Sequence, residues 1–226
     1  MSKIIAIGDI HGKLDKLKNL FGKLSFTESD TIIFMGDYID RGEDSKGVID
    51  YICALKEKYN VVTLKGNHEM FALDSLKFTE GRLGLARMLD SWMANGGMSC
   101  LRSYCRDGLY MDKPAEIIEE MFNDHGSFFD NLQLTYETEN HIFVHGHLAH
   151  KQDVEDQEEW QCLWGRYDDI WPHKSGKTVV CGHTIQRAGV QNDGFKICID
   201  TGSFLLDGYI TAMVIDGPKQ YFLDSK

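Results

Sequence analysis

Asp9, Asp37, Asn67, His145 and His183 each end a short apolar run and stand beside a glycine. The runs are Ile4-Ile5-Ala6-Ile7-Gly8-Asp9, Ile32-Ile33-Phe34-Met35-Gly36-Asp37, Val61-Val62-Thr63-Leu64-Lys65-Gly66-Asn67, Ile142-Phe143-Val144-His145-Gly146 and Val179-Val180-Cys181-Gly182-His183. Carboxylate, amide and imidazole donors suit Mn²⁺, Fe or Zn²⁺ rather than a soft thiolate site. His11 lies two residues beyond Asp9, and alternate residues of an extended segment point the same way, so this pair is expected to hold one ion together. Two ions about 3.5–4 Å apart need a donor that touches both, and Asp37 is the candidate bridge. A single Gly-Asp is usually a turn and a lone histidine usually a surface or core residue. Five recurrences of one design point instead to a metal site.

Such donors must be positioned by a scaffold. Continuous apolar runs bounded by glycine suit strands covered on both faces, and sites in α/β sheets gather at the carboxyl ends of strands, where these five residues fall. Leu14, Leu17, Leu20, Phe21 and Leu24 recur at helical spacing, as do Val48, Ile49, Ile52, Leu55 and Tyr59. Residues 1 to about 70 therefore read β-α-β-α-β. From about 71 to 130, Leu85, Met88, Leu89, Trp92 and Met93, then Ile117, Ile118, Met121 and Phe122, suggest helices without strands. After Gln133 the chain turns strand-rich again, closing with Ile197 to Ile199 and Ile210 to Ile215. The expectation is one domain over residues 1–226, with two sheet-forming halves and a helical insertion between them.

At 226 residues, 42% hydrophobic and 26% charged, the composition is that of an ordinary globular protein. No apolar run approaches the roughly 20 residues of a spanning helix, and the N-terminus does not resemble a secretory signal. The balance of 24 basic against 35 acidic residues gives −11, which disfavours broad nucleic-acid binding. A small phosphorylated substrate stays compatible if positive charge is concentrated in one cleft. The 6 cysteines contain no C-x-x-C pair and read as reduced thiols. A cytoplasmic protein is expected.

Gly8-Asp9-Ile10-His11-Gly12, Gly36-Asp37-Tyr38-Ile39-Asp40-Arg41-Gly42 and Gly66-Asn67-His68-Glu69 resemble, in order and spacing, the three sequence blocks of the PPP superfamily of metallophosphoesterases. Val144-His145, Gly182-His183-Thr184 and Ile199-Asp200-Thr201-Gly202 extend the resemblance over essentially the whole chain. Trp92-x-x-Asn95-Gly96-Gly97 and Leu163-Trp164-Gly165-Arg166 make it most similar to the small bacterial and phage enzymes of the lambda protein phosphatase type.

The resemblance implies an α/β sandwich of two facing mixed sheets flanked by helices, with two divalent metal ions at one rim. Asp9, His11 and Asp37 would hold the first and Asp37, Asn67, His145 and His183 the second, with Mn²⁺ foremost and Fe or Zn²⁺ as alternatives. In the family a water or hydroxide between the ions attacks phosphorus directly, without a phosphoenzyme. His68 matches the general acid that protonates the leaving alkoxide, and Asp40 the carboxylate that pairs with it. Arg41 and Arg166 match phosphate-clamping arginines, joined in substrate binding by Asn67. The implied activity is hydrolysis of phosphoserine and phosphothreonine in a phosphorylated protein or peptide. A diadenosine tetraphosphatase-type nucleotide hydrolase on the same core is the alternative. A binding module without catalysis would predict a lost ligand or general acid, and neither is lost.

Two positions depart from the pattern. Lys65 stands where relatives usually carry arginine, offering a point charge in place of a bidentate grip. Val144-His145-Gly146-His147 replaces Val-His-Ala-Gly, making His147 an outside candidate ligand. Elsewhere, His125, His141, His150 and His173 read as solvated, and Trp92 and Trp160 as packing residues. Asp153 to Glu159 reads as a solvated acidic face, Glu69 as a loop-supporting hydrogen bonder, and Asp200 as a residue that could orient a ligand histidine.

Overall fold

The apolar runs become strands because each is covered on both sides. The structure, a computed structural model, describes residues 2–79, 85–105, 112–166 and 171–226. It begins β1 (Ile4–Ile7), α1 (Leu14–Lys23), β2 (Thr31–Phe34), α2 (Ser45–Lys56) and β3 (Asn60–Thr63), the alternation read from the sequence. Four helices follow: α3 (Asn67–Thr79), α4 (Leu85–Ala94), α5 (Gly97–Tyr104) and α6 (Pro114–Asp130). Next come β4 (Thr135–Glu137), β5 (His141–Val144), α7 (Glu159–Trp164) and β6 (Thr178–Cys181). The chain closes with β7 (Gln191–Asn192), β8 (Lys196–Cys198), β9 (Thr211–Asp216) and β10 (Lys219–Asp224).

Two five-stranded mixed sheets result, ordered β10-β9-β1-β2-β3 and β4-β5-β6-β8-β7. Strands β1, β2 and β3 are parallel in the first, as are β5, β6 and β8 in the second, and antiparallel strands complete each. Alternation divides their side chains between layers. Ala6, Ile33, Met35, Val62 and Leu64 meet Phe143, Val180, Ile197 and Ile199 between the sheets. Ile5, Ile7, Ile32 and Phe34 face the helices, including Leu17, Leu20, Val48, Ile49, Ile117, Ile118 and Met121. Ile142, Val144, Val179, Cys181 and Cys198 cover the outer face of the second sheet with Leu148 and Cys162. This is the two-sheet α/β sandwich expected.

Three details differ from the sequence reading. The first sheet is not built from the N-terminal half alone, because β9 and β10 return to it and β9 pairs with β1. Helix α3 starts at Asn67, not near residue 71, so Asn67 and His68 occupy its first turn. Strands β4, β7 and β10 are too short or too polar to show a clear period. On α4, Trp92 is buried, and Leu89 and Met93 pack beside it. The side chains of Leu85 and Met88 lie outside the described residues. Among the described residues no helix is long and apolar enough to cross a membrane.

Candidate metal centre

All five expected strand-end residues follow the carboxyl ends of β1, β2, β3, β5 and β6 and converge at one rim of the sandwich. The backbone there is unusual. His11, Asp37, Asp40, Arg41 and His183 are the only non-glycine residues with positive φ among those described, at 49°, 53°, 73°, 65° and 62°. Such conformations cost about 1–3 kcal/mol each and persist only where surroundings over-determine them. Glycine lets the turns pass close to the ligands: a Cβ at Gly66 would lie 2.2 Å from Asp37 Oδ1, and one at Gly182 would lie 2.1 Å from Asp9 Oδ1. Asp37 also caps α3, its Oδ1 accepting the His68 N–H at 3.1 Å.

Two donor groups share Asp37. His11, Asp37 and His68 form one, and Asp37, His145 and His183 the other, each with ligand atoms within 4.8 Å of one another. The Asn67 amide oxygen joins the second group, 3.0 Å from His145 Nε2 and 2.9 Å from His183 Nδ1. Backbone carbonyls fix which nitrogens face inward. His11 Nδ1 donates to Ile39 at 3.0 Å and His145 Nδ1 to Met35 at 3.0 Å, leaving both Nε2 atoms as donors for a cation. Asp9 is not among the grouped ligand atoms but lies at the same rim. Its Oδ2 accepts the His183 N–H at 3.0 Å, and its Oδ1 is buried without a partner. Strand alternation is not what relates Asp9 to His11, because the chain leaves β1 at Ile7 and His11 has turned to positive φ.

Charge in this cluster fits a cation. Burial lowers the pKa of His11 and His145 and brings His183 down to about 4, so these rings are neutral ligands at ordinary pH. Burial alone would raise Asp37, but the surrounding histidines, His145 foremost, hold it well below the usual carboxylate range. Asp9 is pushed well up, first by burial and then by Asp200 and Asp37, and burial brings Asp200 up to about 6. Buried like charges of this kind are what a divalent ion relieves. The two buried side-chain polar atoms left unpaired among the described residues, Asp9 Oδ1 and His68 Nε2, both belong to this site.

His68 Nδ1 meets Asp40 Oδ2 at 2.6 Å, which leaves Nε2 available. Burial works against its charge, but Asp37 and Asp40 outweigh that and raise its pKa. Burial raises Asp40 in turn, opposed by the hydrogen bonds from His68 and Trp92. The cleft above holds about 400 Å³ and is lined by Asp37, Arg41, Asn67, Asn95, Trp164, Arg166, His183, Thr184, Ile185 and Phe204. The Arg41 guanidinium lies 4.3 Å over the Phe204 ring, with Nη1 2.9 Å from His11 Nε2. Both expected arginines therefore face the cleft, Arg166 from an exposed position.

Other expectations need correction. Lys65 does not replace an arginine in the cleft; its ammonium pairs with Glu159 at 2.8 Å. His147 lies in neither donor group, and its Nδ1 sits 2.7 Å from the buried Lys196 ammonium. His125 and His173 are buried rather than solvated, bonded to Tyr104 and Asp50 and to Ser175 and Gln152 respectively. His141 and His150 are half-buried. Trp160 is 63% exposed and packs little. Asp200 accepts the Gly202 N–H at 2.9 Å and stands against Asp9 rather than behind a histidine. Glu69 does support the loops, accepting the N–H groups of Asp37, Tyr38 and Gly66 at 2.9, 2.9 and 3.0 Å. Phe204 was missed, since a lone aromatic beyond the last motif carries no signal of its own.

The family model of the calcineurin-like phosphoesterases matches residues 2–192. Serine/threonine-protein phosphatase PP1-delta of Caenorhabditis elegans is 40% identical over 73 residues, 31% of this chain and 24% of that protein. The aligned stretch is thus about a quarter of that relative's length. Among solved structures, a candidate diadenosine tetraphosphatase superposes with a TM-score of 0.65 at 21% identity, covering 99% of this chain and 93% of that one. A Saccharomyces cerevisiae protein serine/threonine phosphatase with similarity to human PP5 gives 0.63 at 18%, covering 99% and 79%. A cold-active protein-tyrosine phosphatase of a psychrophilic Shewanella gives 0.62 at 14%, covering 100% and 81%. At these identities the superpositions speak for the fold.

Proposed function

Because the chain belongs to the calcineurin-like phosphoesterase family, we propose that it is a metal-dependent phosphomonoesterase acting on phosphoserine and phosphothreonine in proteins or peptides. The observation that carries this is Asp37 shared by two donor groups, in one of which His68 keeps a buried Nε2 without a hydrogen-bond partner. Asp9, His11 and Asp37 would hold one divalent cation, and Asp37, Asn67, His145 and His183 a second, with Mn²⁺ first and Fe or Zn²⁺ acceptable to the same donors. When bound, such a pair lowers the pKa of water and neutralises charge on the transferring phosphoryl group.

The chain's own residues supply the rest. Arg41 and Arg166 grip phosphate oxygens with planar forks, and the Asn67 amide stands at the same wall of the cleft. Water attacks phosphorus in line with the leaving oxygen, so no side chain is phosphorylated. His68, its Nδ1 proton held by Asp40, donates from Nε2 to the departing alkoxide. Seryl and threonyl alkoxides leave poorly, which is why this proton matters for them.

A dinucleotide polyphosphate substrate is the second reading, on the same donors and with a structural neighbour of that kind. The described cleft lining brings two arginines, enough for one phosphoryl group and sparse for four linked phosphates. Residues 1–226 are taken as one catalytic unit with 71–130 as its helical insertion. Its six free thiols fit a reducing cytoplasm.

The test is phosphate release by Mn²⁺-loaded protein from a phosphothreonine peptide and from diadenosine tetraphosphate in parallel, with His68→Asn as control. Peptide turnover that the control loses by about 100-fold or more supports the reading. Nucleotide cleavage without peptide turnover replaces it with the dinucleotide hydrolase, and inertness towards both rejects the substrate class.

A further inference from the structure

The Trp92-x-x-Asn95-Gly96-Gly97 motif is not used by the reaction as described, yet it touches the two residues at the centre of the active-site loop. The Trp92 side chain is fully buried, and its indole Nε1–H donates to Asp40 at 2.8 Å (Oδ2) and 3.0 Å (Oδ1). The same Asp40 Oδ2 accepts from His68 Nδ1 at 2.6 Å. Four residues on, the Gly96 carbonyl accepts the Arg41 N–H at 3.2 Å. A Cβ at Gly96 would lie 2.8 Å from Arg41 Cγ, and one at Gly97 would lie 2.7 Å from the indole ring. Both glycines are therefore required for this close approach, and Asp40 and Arg41 are the neighbours held at positive φ.

We infer that Trp92 is a positioning residue for proton donation: its N–H fixes the Asp40 carboxylate, and through it the direction in which His68 presents Nε2. Two observations carry this. Asp40 is fully buried, and its carboxylate receives side-chain hydrogen bonds from His68 and Trp92 alone among the described residues. His68 Nε2 is buried with no hydrogen-bond partner, Asp37 Oδ2 lying 3.9 Å away, so its aim is set by the hydrogen bond on the Nδ1 side. The helical insertion thereby takes part in the reaction through one N–H, beyond whatever it contributes to substrate choice. The inference rests on the general-acid reading of His68.

Leaving-group dependence separates positioning from mere packing, because only poor leaving groups need the proton. Trp92→Phe keeps an aromatic ring and removes the donor. It is expected to lower kcat for a phosphoserine peptide about tenfold while changing kcat for p-nitrophenyl phosphate less than about twofold. In a double-mutant cycle Trp92→Phe should add almost nothing to Asp40→Asn. As a readout independent of turnover, the His68 Nδ1 proton should give a downfield resonance in the metal-free and Zn²⁺-loaded protein that is lost to solvent exchange in Trp92→Phe. If the phenylalanine variant does not fold, 3-benzothienylalanine at position 92, with sulfur in place of the N–H, serves in its place. Equal slowing of both substrates, with the His68 resonance retained, overturns the role of Trp92. If His68→Asn itself slows both substrates equally, the general-acid reading falls and this inference with it. A graded His68→Asn effect beside a uniform Trp92→Phe effect removes Trp92 alone.

Discussion

At the scale of single residues, the site is a set of donors separated from backbone by distances only glycine permits. Gly66 is the clearest case. A methyl group there would sit 2.2 Å from Asp37 Oδ1, 2.3 Å from Asp37 N and 2.7 Å from Glu69 Oε2, and none of these can retreat without moving the shared ligand. Gly66→Ala is therefore expected to fold with native-like far-UV circular dichroism but to bind Mn²⁺ at least about tenfold more weakly, the range seen when a ligand's support is disturbed. Equilibrium dialysis of the purified variant decides it, and unchanged affinity would show that Asp37 can relax. The donors were legible in the sequence because each follows an apolar run and a glycine. Their pairing was less so. Strand alternation is the wrong ground for joining Asp9 to His11, because β1 has ended and His11 has φ of 49°. Trp92 read as core, which is correct for its ring, while its N–H bond to a residue 52 positions away in sequence leaves no local pattern.

Secondary-structure elements meet at the site through Glu69. It stands in the first turn of α3, is fully buried, and accepts backbone N–H groups from Gly66 at the α3 entry and from Asp37 and Tyr38 after β2. One carboxylate thus joins the second and third sequence blocks, and Tyr38 adds a hydroxyl bond back to the Leu64 carbonyl at 2.7 Å. Removing it strands these three buried donors and a fourth, more distant one, the Ile39 N–H at 3.4 Å. At about 1–3 kcal/mol for each, Glu69→Ala is expected to lose at least about 3 kcal/mol in urea unfolding. A loss under about 1 kcal/mol would mean that water replaces the carboxylate at little cost. The elements themselves were largely readable: β1, α1, β2, α2, β3, β5 and β6 carry strong apolar periods. The loop-supporting part of Glu69 was expected from its place next to His68. The partners of Lys65 and His125 were not, since Glu159 and Asp50 lie 94 and 75 positions away and charge type alone does not choose among many partners.

On the scale of the whole molecule, the site joins the two sheets. Asp9, His11, Asp37 and Asn67 come from the first sheet's loops, and His145 and His183 from the second's, so a cation bound by both sets is also a cross-link of the sandwich. Without one, the same region opposes folding. Asp200 is raised to about 6 by burial, and Asp9 is raised by burial, by Asp200 and by Asp37. A carboxyl whose folded pKa lies above its unfolded value near about 4 contributes stability in full below that value. For Asp200 the contribution fades as pH rises to about 6 and is absent above it. The metal-free protein should thus lose stability between about pH 4 and 6 from Asp200, with Asp9 acting in the same direction, and cation binding should restore it most at neutral pH. At a free Mn²⁺ concentration 100 times Kd, linkage gives about 2.7 kcal/mol. For a chain of this size that corresponds to a rise in Tm of about 5–10 °C. Asp9→Asn separates the two effects. It removes one of the crowded charges while keeping an oxygen for the His183 N–H, so the metal-free Tm should rise by a few degrees and the Mn²⁺-dependent increment should largely vanish. Scanning calorimetry at pH 7.5 and pH 5 with and without Mn²⁺ tests this directly. An Asp9→Asn protein less stable than its metal-free parent, with the full Mn²⁺ increment, would show that Asp9 serves the fold and not the ion.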